Sequence, residues 1–305
     1  MEYDEDEVRT AQARGFGHLW KVFESYAVKP QAGGSPEQHI TENGQLCTVA
    51  DTREEEERVI LAQGSVARVY APIMHPELPN ALAKIRRGDE VATRDFVQTY
   101  GLLGYVPSVP PMERGPQGEP LSWIWTHAET VQLCLYLTYL LQADDIDGLE
   151  VCLQSLRGPH PLDSHCEYWP MIVVEAHGQT EPILWPLHYR TQDEKAQKCT
   201  TVARNIRRTL INEYIRGIHC ELHQENGQDR AFFMYNALYE MIYWHLANAL
   251  GKNPVRCCAD PQCRAPFIPQ RANQAYCPPR WRQKESPCAV RYRVEQHRSK
   301  RRGSH

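Results

Sequence analysis

The spacing of the cysteines near the C-terminal end constrains the fold of this 305-residue chain more than any other feature. Five of the eleven cysteines fall within residues 257–288, and four of them read Cys258-x4-Cys263, thirteen residues, then Cys277-x10-Cys288. Four thiolates are the ligand set of a closed tetrahedral zinc site, which leaves no open position for a catalytic water. We therefore predict one structural Zn2+ ion bound by these four cysteines.

Two alternatives stay open at this point. Cys257 adjoins Cys258 and offers a substitute for the first ligand. The cysteines would be unligated buried thiols if no metal bound, although five cysteines in so short and ordered a stretch argue against that interpretation.

The residues between the four cysteines predict the local structure. Pro261 tightens the loop that must turn the first two thiolates toward one ion. Phe267-Ile268 and Ala275-Tyr276 are expected to pair as a small hairpin. Ser286 is expected to cap a helix that carries Cys288 in its first turn. This order of elements is that of a treble clef.

Charge divides the chain into an acidic body and a basic end. The net charge is −4, but residues 251–305 hold thirteen Lys and Arg against three Asp and Glu. Such an end suits a polyanion, and Trp281 lies among the basic residues, which suits base stacking beside phosphate contacts. The predicted nucleic-acid-binding residues are Arg280, Arg282, Arg291, Arg293, Arg298, Lys300 and Arg302.

The segment from residue 256 to 293 resembles the zinc finger of bacterial CGNR-type proteins. Cys258 and Cys263 match its first ligand pair, and Gln274–Cys277 matches its hairpin and third ligand. Cys288–Arg291 keeps the first and last letters of the CGNR motif, with Ala-Val in place of Gly-Asn. The interval before Cys288 is longer than the four or five residues of the family. The resemblance implies a transcription regulator with a DNA-binding finger.

The fold class predicted for the whole chain is mostly α, of the α+β type. Residues 1–250 are expected to form a mostly helical domain with a few short strands and a seam at the Pro- and Gly-rich stretch 106–120. Residues 251–305 are expected to form a small treble-clef-like finger with a basic C-terminal helix. Stretches 96–104 and 211–214 resemble the ABATE-type helical region that precedes some CGNR fingers.

Local patterns place the main elements of the body. A capping box at Thr126–Glu129 predicts a helix that stops by Ala143. Residues 170–191 read as a hairpin. Two long helices are expected, one on each side of a polar break at residues 224–229. The first of these helices would put His219 and His223 on one face. Two histidines on one face can bind a metal, but we favour a structural role for them.

The remaining patterns bound the function. There is no Gly-x-Ser-x-Gly motif, no P-loop and no HExxH motif, so we predict that the chain is not an enzyme. The most apolar run, residues 131–141, has about half of the ~20 residues that span a bilayer, and no export signal is evident, so we expect a cytoplasmic protein. The expected partner is nucleic acid, with DNA favoured, or else an acidic protein, and a homodimer is left open.

Overall fold

The computed structural model describes residues 2–3, 5–16, 18–30, 38–40, 46–48, 58–104, 118–156, 168–176, 179–186, 189–225, 228–279 and 283–302. The helices in these ranges are α1 (Glu5–Ala13), α2 (Leu78–Leu82), α3 (Glu90–Tyr100), α4 (Leu121–Ala143), α5 (Ile146–Ser155), α6 (Gln192–Tyr214), α7 (Leu238–Leu250) and α8 (Pro287–Arg302). The strands are β1 (Glu2–Tyr3), β2 (Trp20–Pro30), β3 (Gln38–Ile40), β4 (Leu46–Thr48), β5 (Arg58–Tyr70), β6 (Gly118–Pro120), β7 (Tyr168–Ala176), β8 (Gln179–Pro186), β9 (His219–Glu225), β10 (Gln228–Met234), β11 (Arg256–Cys257) and β12 (Pro266–Phe267). The chain is therefore a mixed α+β protein.

The largest sheet is built on the long antiparallel pair of β2 and β5. β1 adds to β5 in parallel, and β6 pairs antiparallel with the start of β5. Both long strands are rich in Val, Phe, Ile and Tyr, which favour extended structure, and their inner faces bury Val22, Ile60 and Tyr70. Helix α3 packs against β2, so the sheet joins the helical core directly.

Helix α4 lies at the centre of the body. Its apolar residues are spread around the helix and are not confined to one face, as in helices that are buried in the core of a protein. Residues Ile124, Val131 and Leu135 have no solvent exposure, and the helix contacts α2, α3, α5, α6 and α7. Among the described helices, α4 included, none has both the length and the apolarity to cross a membrane.

The predicted end of α4 is confirmed, but its predicted start is wrong. The helix ends at Ala143, and Asp144 follows in the left-handed conformation with φ +53°. It begins at Leu121, five residues before Thr126, because the side chain of Leu121 is itself buried in the core. Glu129 does not cap the helix; it accepts two hydrogen bonds from the guanidinium of Arg87 instead.

The hairpin predicted for residues 170–191 is confirmed as β7 and β8, which pair antiparallel. The two long helices predicted for residues 202–250 are only partly confirmed. Helix α6 forms, but β9 and β10 follow it, paired from His219↔Met234 to Glu225↔Gln228, before α7 begins. His219 and His223 therefore lie on a strand, because the Phe-rich segment that follows pairs with them as β10 instead of continuing a helix. The predicted seam at 106–120 lies outside the described residues, apart from β6.

The C-terminal segment is docked on the body through buried polar contacts. The Ile268 backbone N–H donates to Asn80 Oδ1 at 2.8 Å, and Asn80 Nδ2 donates to the Ile268 carbonyl at 2.9 Å. The backbone N–H of Val255 donates to Gln142 Oε1 at 2.8 Å. Val255 and Ile268 also belong to the same buried cluster as the core of the body. The domain boundary at residue 250 stays a prediction, and the hydrophobic core continues across it.

Candidate metal centre and basic helix

A short loop between β11 and β12 places the first two cysteines. The Cys258 N–H donates to the Ala265 carbonyl at 3.0 Å, and this bond closes the loop. Within it, the N–H groups of Cys263 and Arg264 both donate to the Asp260 carbonyl at 3.0 Å. Arg264 has φ +48°, a left-handed conformation that lets the chain reverse after Cys263. Both thiols are thereby turned to the same side of the loop.

The hairpin expected between Phe267-Ile268 and Ala275-Tyr276 is wrong. Strand β12 pairs with β11 instead, in the register Arg256↔Phe267. The reason is that the N–H and carbonyl of Ile268 are bound by Asn80 of the body, so they are not available to a second strand. The Ala275 carbonyl accepts the N–H of Ala259 at 2.8 Å, which brings the residues before Cys277 to the first loop.

The fourth cysteine lies where the sequence predicts. Helix α8 begins at Pro287, and Cys288 is in its first turn. The Ser286 hydroxyl accepts the N–H of Ala289 at 3.4 Å, so Ser286 caps the helix as expected. A cysteine at this position has its thiol fixed by the helix backbone, and any metal bound there also fixes the direction of the helix.

The four sulfur atoms are close enough to share one metal ion. Those of Cys258, Cys263, Cys277 and Cys288 all lie within 4.8 Å of one another, and Cys263 Sγ is 3.6 Å from Cys277 Sγ. A tetrahedral ion with Zn–S bonds of about 2.3 Å would place its sulfurs about 3.8 Å apart. The residues therefore fit a single tetrahedral ion, and three of the four are buried.

The neighbouring Cys257 does not join this group. Its thiol lies near the hydroxyl of Tyr139 on α4, on the side that faces the body. Burial raises the pKa of Cys257, whereas the hydroxyl of Tyr139 lowers it by less. Of the two adjacent cysteines, Cys258 is the one placed with the other three sulfurs.

The thiols of the cluster perturb one another. Hydrogen bonds from Cys258 and Cys277 lower the pKa of Cys263, and the Ala265 N–H adds a further hydrogen bond to its sulfur. Burial raises the pKa of Cys288 to about 12, and charge on its neighbours adds to the rise. A thiolate is thus favoured at Cys263 and disfavoured at Cys288, which is the pattern expected where a dication normally replaces shared protons.

An ion pair between a buried carboxylate and a partly exposed guanidinium supports the cluster, and the sequence patterns did not single this pair out. The carboxylate of Asp260 is fully buried and accepts hydrogen bonds from Nε of Arg291 at 2.8 Å and from its Nη2. Arg291 Nη2 also lies 3.8 Å from Cys288 Sγ. The only available signals were an acidic residue inside the Cys258–Cys263 loop and an arginine one turn after Cys288. Arg291 supplies fixed positive charge beside four potential thiolates.

Among the other predicted nucleic-acid-binding residues, the structure describes the side chains of only two, Arg293 and Arg298. Arg293 pairs with Glu285 across an exposed surface, and Arg298 is exposed on the outer part of α8. Lys300 and Arg302 lie on the last turn of α8, but their side chains are outside the described set. Arg280 and Arg282 are outside the described residues altogether.

Two further features of the structure bear on an enzymatic role. A cleft of about 540 Å3 lies between α4, α5 and the loop around Cys263, with Leu133, Tyr136 and Pro266 in its wall. His219 and His223 do not line that cleft; each donates a hydrogen bond from Nε2 to a carboxylate oxygen of Glu221 on the exposed face of β9. The prediction that the chain is not an enzyme stays a prediction.

Comparison with known proteins returns no match for this chain among family models, curated proteins or solved structures. The resemblance to CGNR-type fingers therefore depends on the motif residues alone.

Proposed function

We propose that this chain is a zinc protein in which a structural Zn2+ ion on four cysteines holds a basic helix against nucleic acid. The observation that carries the proposal is the position of Cys288. It is at once the fourth member of the sulfur cluster and part of the first turn of α8. A metal ion bound by the four sulfurs would therefore fix the position of helix α8 directly.

Zinc is favoured by the donor set. Four thiolates with no open position suit Zn2+, whereas Mg2+ and Ca2+ prefer oxygen ligands. The sulfurs lie within 4.8 Å of one another, and an iron–sulfur cluster would need more room because its irons and sulfides lie between the cysteines. When bound, the ion supplies stability to the finger and no reactive chemistry.

Nucleic acid is favoured by the charge and exposure of α8. The helix carries six Lys and Arg residues and one acidic residue, Glu295. Its first turns are held on the finger by Asp260–Arg291 and by the ring contact of Tyr276 with Tyr292, whose centroids are 5.6 Å apart. The outer residues 296–299 are exposed. A helix anchored at one end and basic at the other can place its basic side chains along a phosphate backbone.

The experiment is a salt titration of binding to a labelled DNA duplex, measured by fluorescence anisotropy. Each phosphate contact contributes close to one unit to the slope of log K against log salt. The triple variant Arg298→Ala, Lys300→Ala, Arg302→Ala should weaken binding and reduce the slope by about 2 to 3 units. The matched control replaces three basic residues of the body and of the α7 end, Arg204, Arg208 and Lys252, and should leave the slope unchanged.

Both triple variants should keep one zinc per chain, so a loss of binding can be assigned to α8 and not to the site. If the natural chain binds neither DNA nor RNA in a salt-dependent way, the nucleic-acid part of the proposal is wrong. A chain purified without zinc, and unable to take it up, would overturn the metal part.

A second candidate function has one observation in its favour. Val290 and Val294 lie one turn apart on α8 and are 40% and 43% exposed. Exposed apolar residues on a charged helix suit a protein partner, so the finger would then be a protein–protein interaction module with an acidic partner. Val294→Asp should abolish capture of such a partner after nuclease treatment while leaving the salt slope for DNA in place.

A further inference from the structure

Strand β9 is an open sheet edge. It pairs with β10 on one side, and no strand of the described residues lies on its other side. The side chains of residues 219–224 are all exposed, and Leu222 is 74% exposed. Natural edge strands are usually protected by Pro, Lys or a covering segment, and residues 219–225 include neither Pro nor Lys.

The direction of the backbone groups on this edge follows from the neighbouring strand. The N–H of Phe233 on β10 donates to the Gly15 carbonyl at 2.6 Å, so it points away from β9. Cys220 lies opposite Phe233 in the β9–β10 ladder, so the two residues form a non-hydrogen-bonded pair. The N–H and carbonyl of Cys220 therefore point to the open edge of β9. The alternation of an antiparallel ladder gives Leu222 and Gln224 the same outward direction.

The sequence of β9 is HCELHQE. Two copies of this strand complement each other when they run antiparallel with Leu222 at the centre. In that register Leu222 faces Leu222 of a second copy and Cys220 faces Gln224. These are the residues whose backbone groups point outward, so three hydrogen-bonded pairs form. Between them Glu221 faces His223, and the register position of Glu225 faces His219.

Other symmetric registers are poorer. Pairing about Glu221 places two carboxylates opposite each other, and pairing about His223 places the position of Glu225 opposite Glu221. Like charges directly opposite are destabilising in a sheet. Pairing about Cys220 or Gln224 leaves about half of the strand without a partner. Only the register about Leu222 uses all seven residues and opposes every acidic position with a histidine.

We propose that two copies of this chain associate through antiparallel pairing of their β9 strands about Leu222, which joins the two hairpins into one four-stranded sheet. The interface is isologous, as in most homodimers, and it adds strands by main-chain hydrogen bonds. It involves neither the cysteine cluster nor α8, so it is independent of the proposed function.

A crosslink tests the register. Gln224→Cys places a new thiol opposite the natural Cys220 of the second copy, at a Cα separation of about 5.5 Å that a disulfide can span. Within one chain, residues 220 and 224 are about 13 Å apart along the strand, so no internal disulfide forms. Under a glutathione redox buffer, Gln224→Cys should give a covalent dimer on a non-reducing gel, and Gln224→Cys with Cys220→Ser should not.

Two further variants test the pairing itself by sedimentation at 1 to 100 µM protein. Leu222→Pro removes an N–H that points to the open edge, so it should leave β10 pairing intact and give a monomer. Glu221→Lys should weaken the dimer at least tenfold, and the exchange Glu221→His with His223→Glu should restore it. A natural chain that is monomeric at 100 µM, or a Gln224→Cys chain that gives no crosslink, would overturn the proposal.

Discussion

The body and the finger are stabilised in different ways. The body buries large aromatic and aliphatic side chains, and its interior even holds a histidine, His127, whose pKa burial lowers to about 3. The ring of His127 stacks on Tyr239 with centroids 4.9 Å apart and meets Tyr214 at 4.8 Å. The finger has a buried cluster of its own that consists of Phe267 and cysteine thiols. Burial can therefore support the body, whereas the finger depends on what its thiols bind.

This difference follows from size. A segment of about 50 residues buries too little apolar surface to fold on hydrophobic burial alone, and a structural metal is a usual remedy. The finger adds two further supports: the fully buried Asp260, which orients Arg291, and the docking of Ile268 on Asn80. Three changes should therefore affect stability by different amounts and in different regions. They are loss of the metal from the finger, loss of the charge on the buried His75 of the body, and loss of the contact between Asn80 and Ile268.

The largest effect is expected from Cys277→Ser. The metal contributes on the order of 10 kcal/mol or more to structural sites of this kind, because metal binding and folding are coupled. The variant should lose its zinc and make the finger sensitive to protease, while the helical circular dichroism of the body remains. Cys257→Ser is the matched control, since its thiol faces Tyr139, and it should keep one zinc per chain. Retention of zinc with unchanged affinity by Cys277→Ser would break the contrast between the two regions.

A smaller effect is expected from pH. As the pH rises from 6.5 to 9, the body should become less stable, whereas zinc binding by the finger should become stronger. Burial lowers the pKa of His75, but hydrogen bonds and charge from Glu7 and Glu77 outweigh it and raise the pKa to about 9. A raised folded-state pKa stabilises the body fully below the unfolded value of about 6.5, and this contribution is lost as the pH rises through 9. The loss is at most about 3 kcal/mol. Zinc binding should strengthen over the same range, because thiols release protons when they bind metal.

The measurement for His75 is denaturant unfolding of the body at pH 6.5, 7.5 and 9, compared with His75→Gln. The natural chain should lose stability across this range and the variant should lose much less. The ring also faces Tyr70 at 5.0 Å, and burial raises the pKa of Tyr70 well above its ordinary value, so that residue does not titrate in the window. Equal slopes for the two chains would show that His75 is not charged in the folded body.

The local features of the chain were readable from its sequence, and the long-range ones were not. The set of four cysteines follows from their spacing within residues 258–288, and the cap at Ser286 and the end of α4 depend on neighbours a few residues away, so spacing and capping rules predict all three. The β9–β10 hairpin was missed because a Phe-rich run also satisfies a helical period. Asn80 meets Ile268 across 188 residues of sequence, and no local pattern records that contact.

The smallest effect is expected at that contact, from Asn80→Ala. The substitution leaves the buried N–H and carbonyl of Ile268 without partners, which costs about 1 to 3 kcal/mol. Asn248→Ala removes an exposed side-chain bond to the Trp244 carbonyl and should change stability by less than about 0.5 kcal/mol. Both variants should keep their zinc, since Asn80 binds Ile268, the residue that follows β12, and Ile268 is not a member of the cysteine cluster.

Unfolding monitored separately in the two regions decides what that contact does. If the shared core couples them, the natural chain unfolds in one transition, and Asn80→Ala separates an early transition of the finger from a later one of the body. The contrary result is that Asn80→Ala loses its zinc and the helix of the body in one transition, at the same unfolding midpoint as the natural chain. That result would mean that Asn80 contributes nothing to docking. In that case the hydrogen bond from Val255 to Gln142 and the burial of Val255 and Ile268 would have to hold the finger on the body.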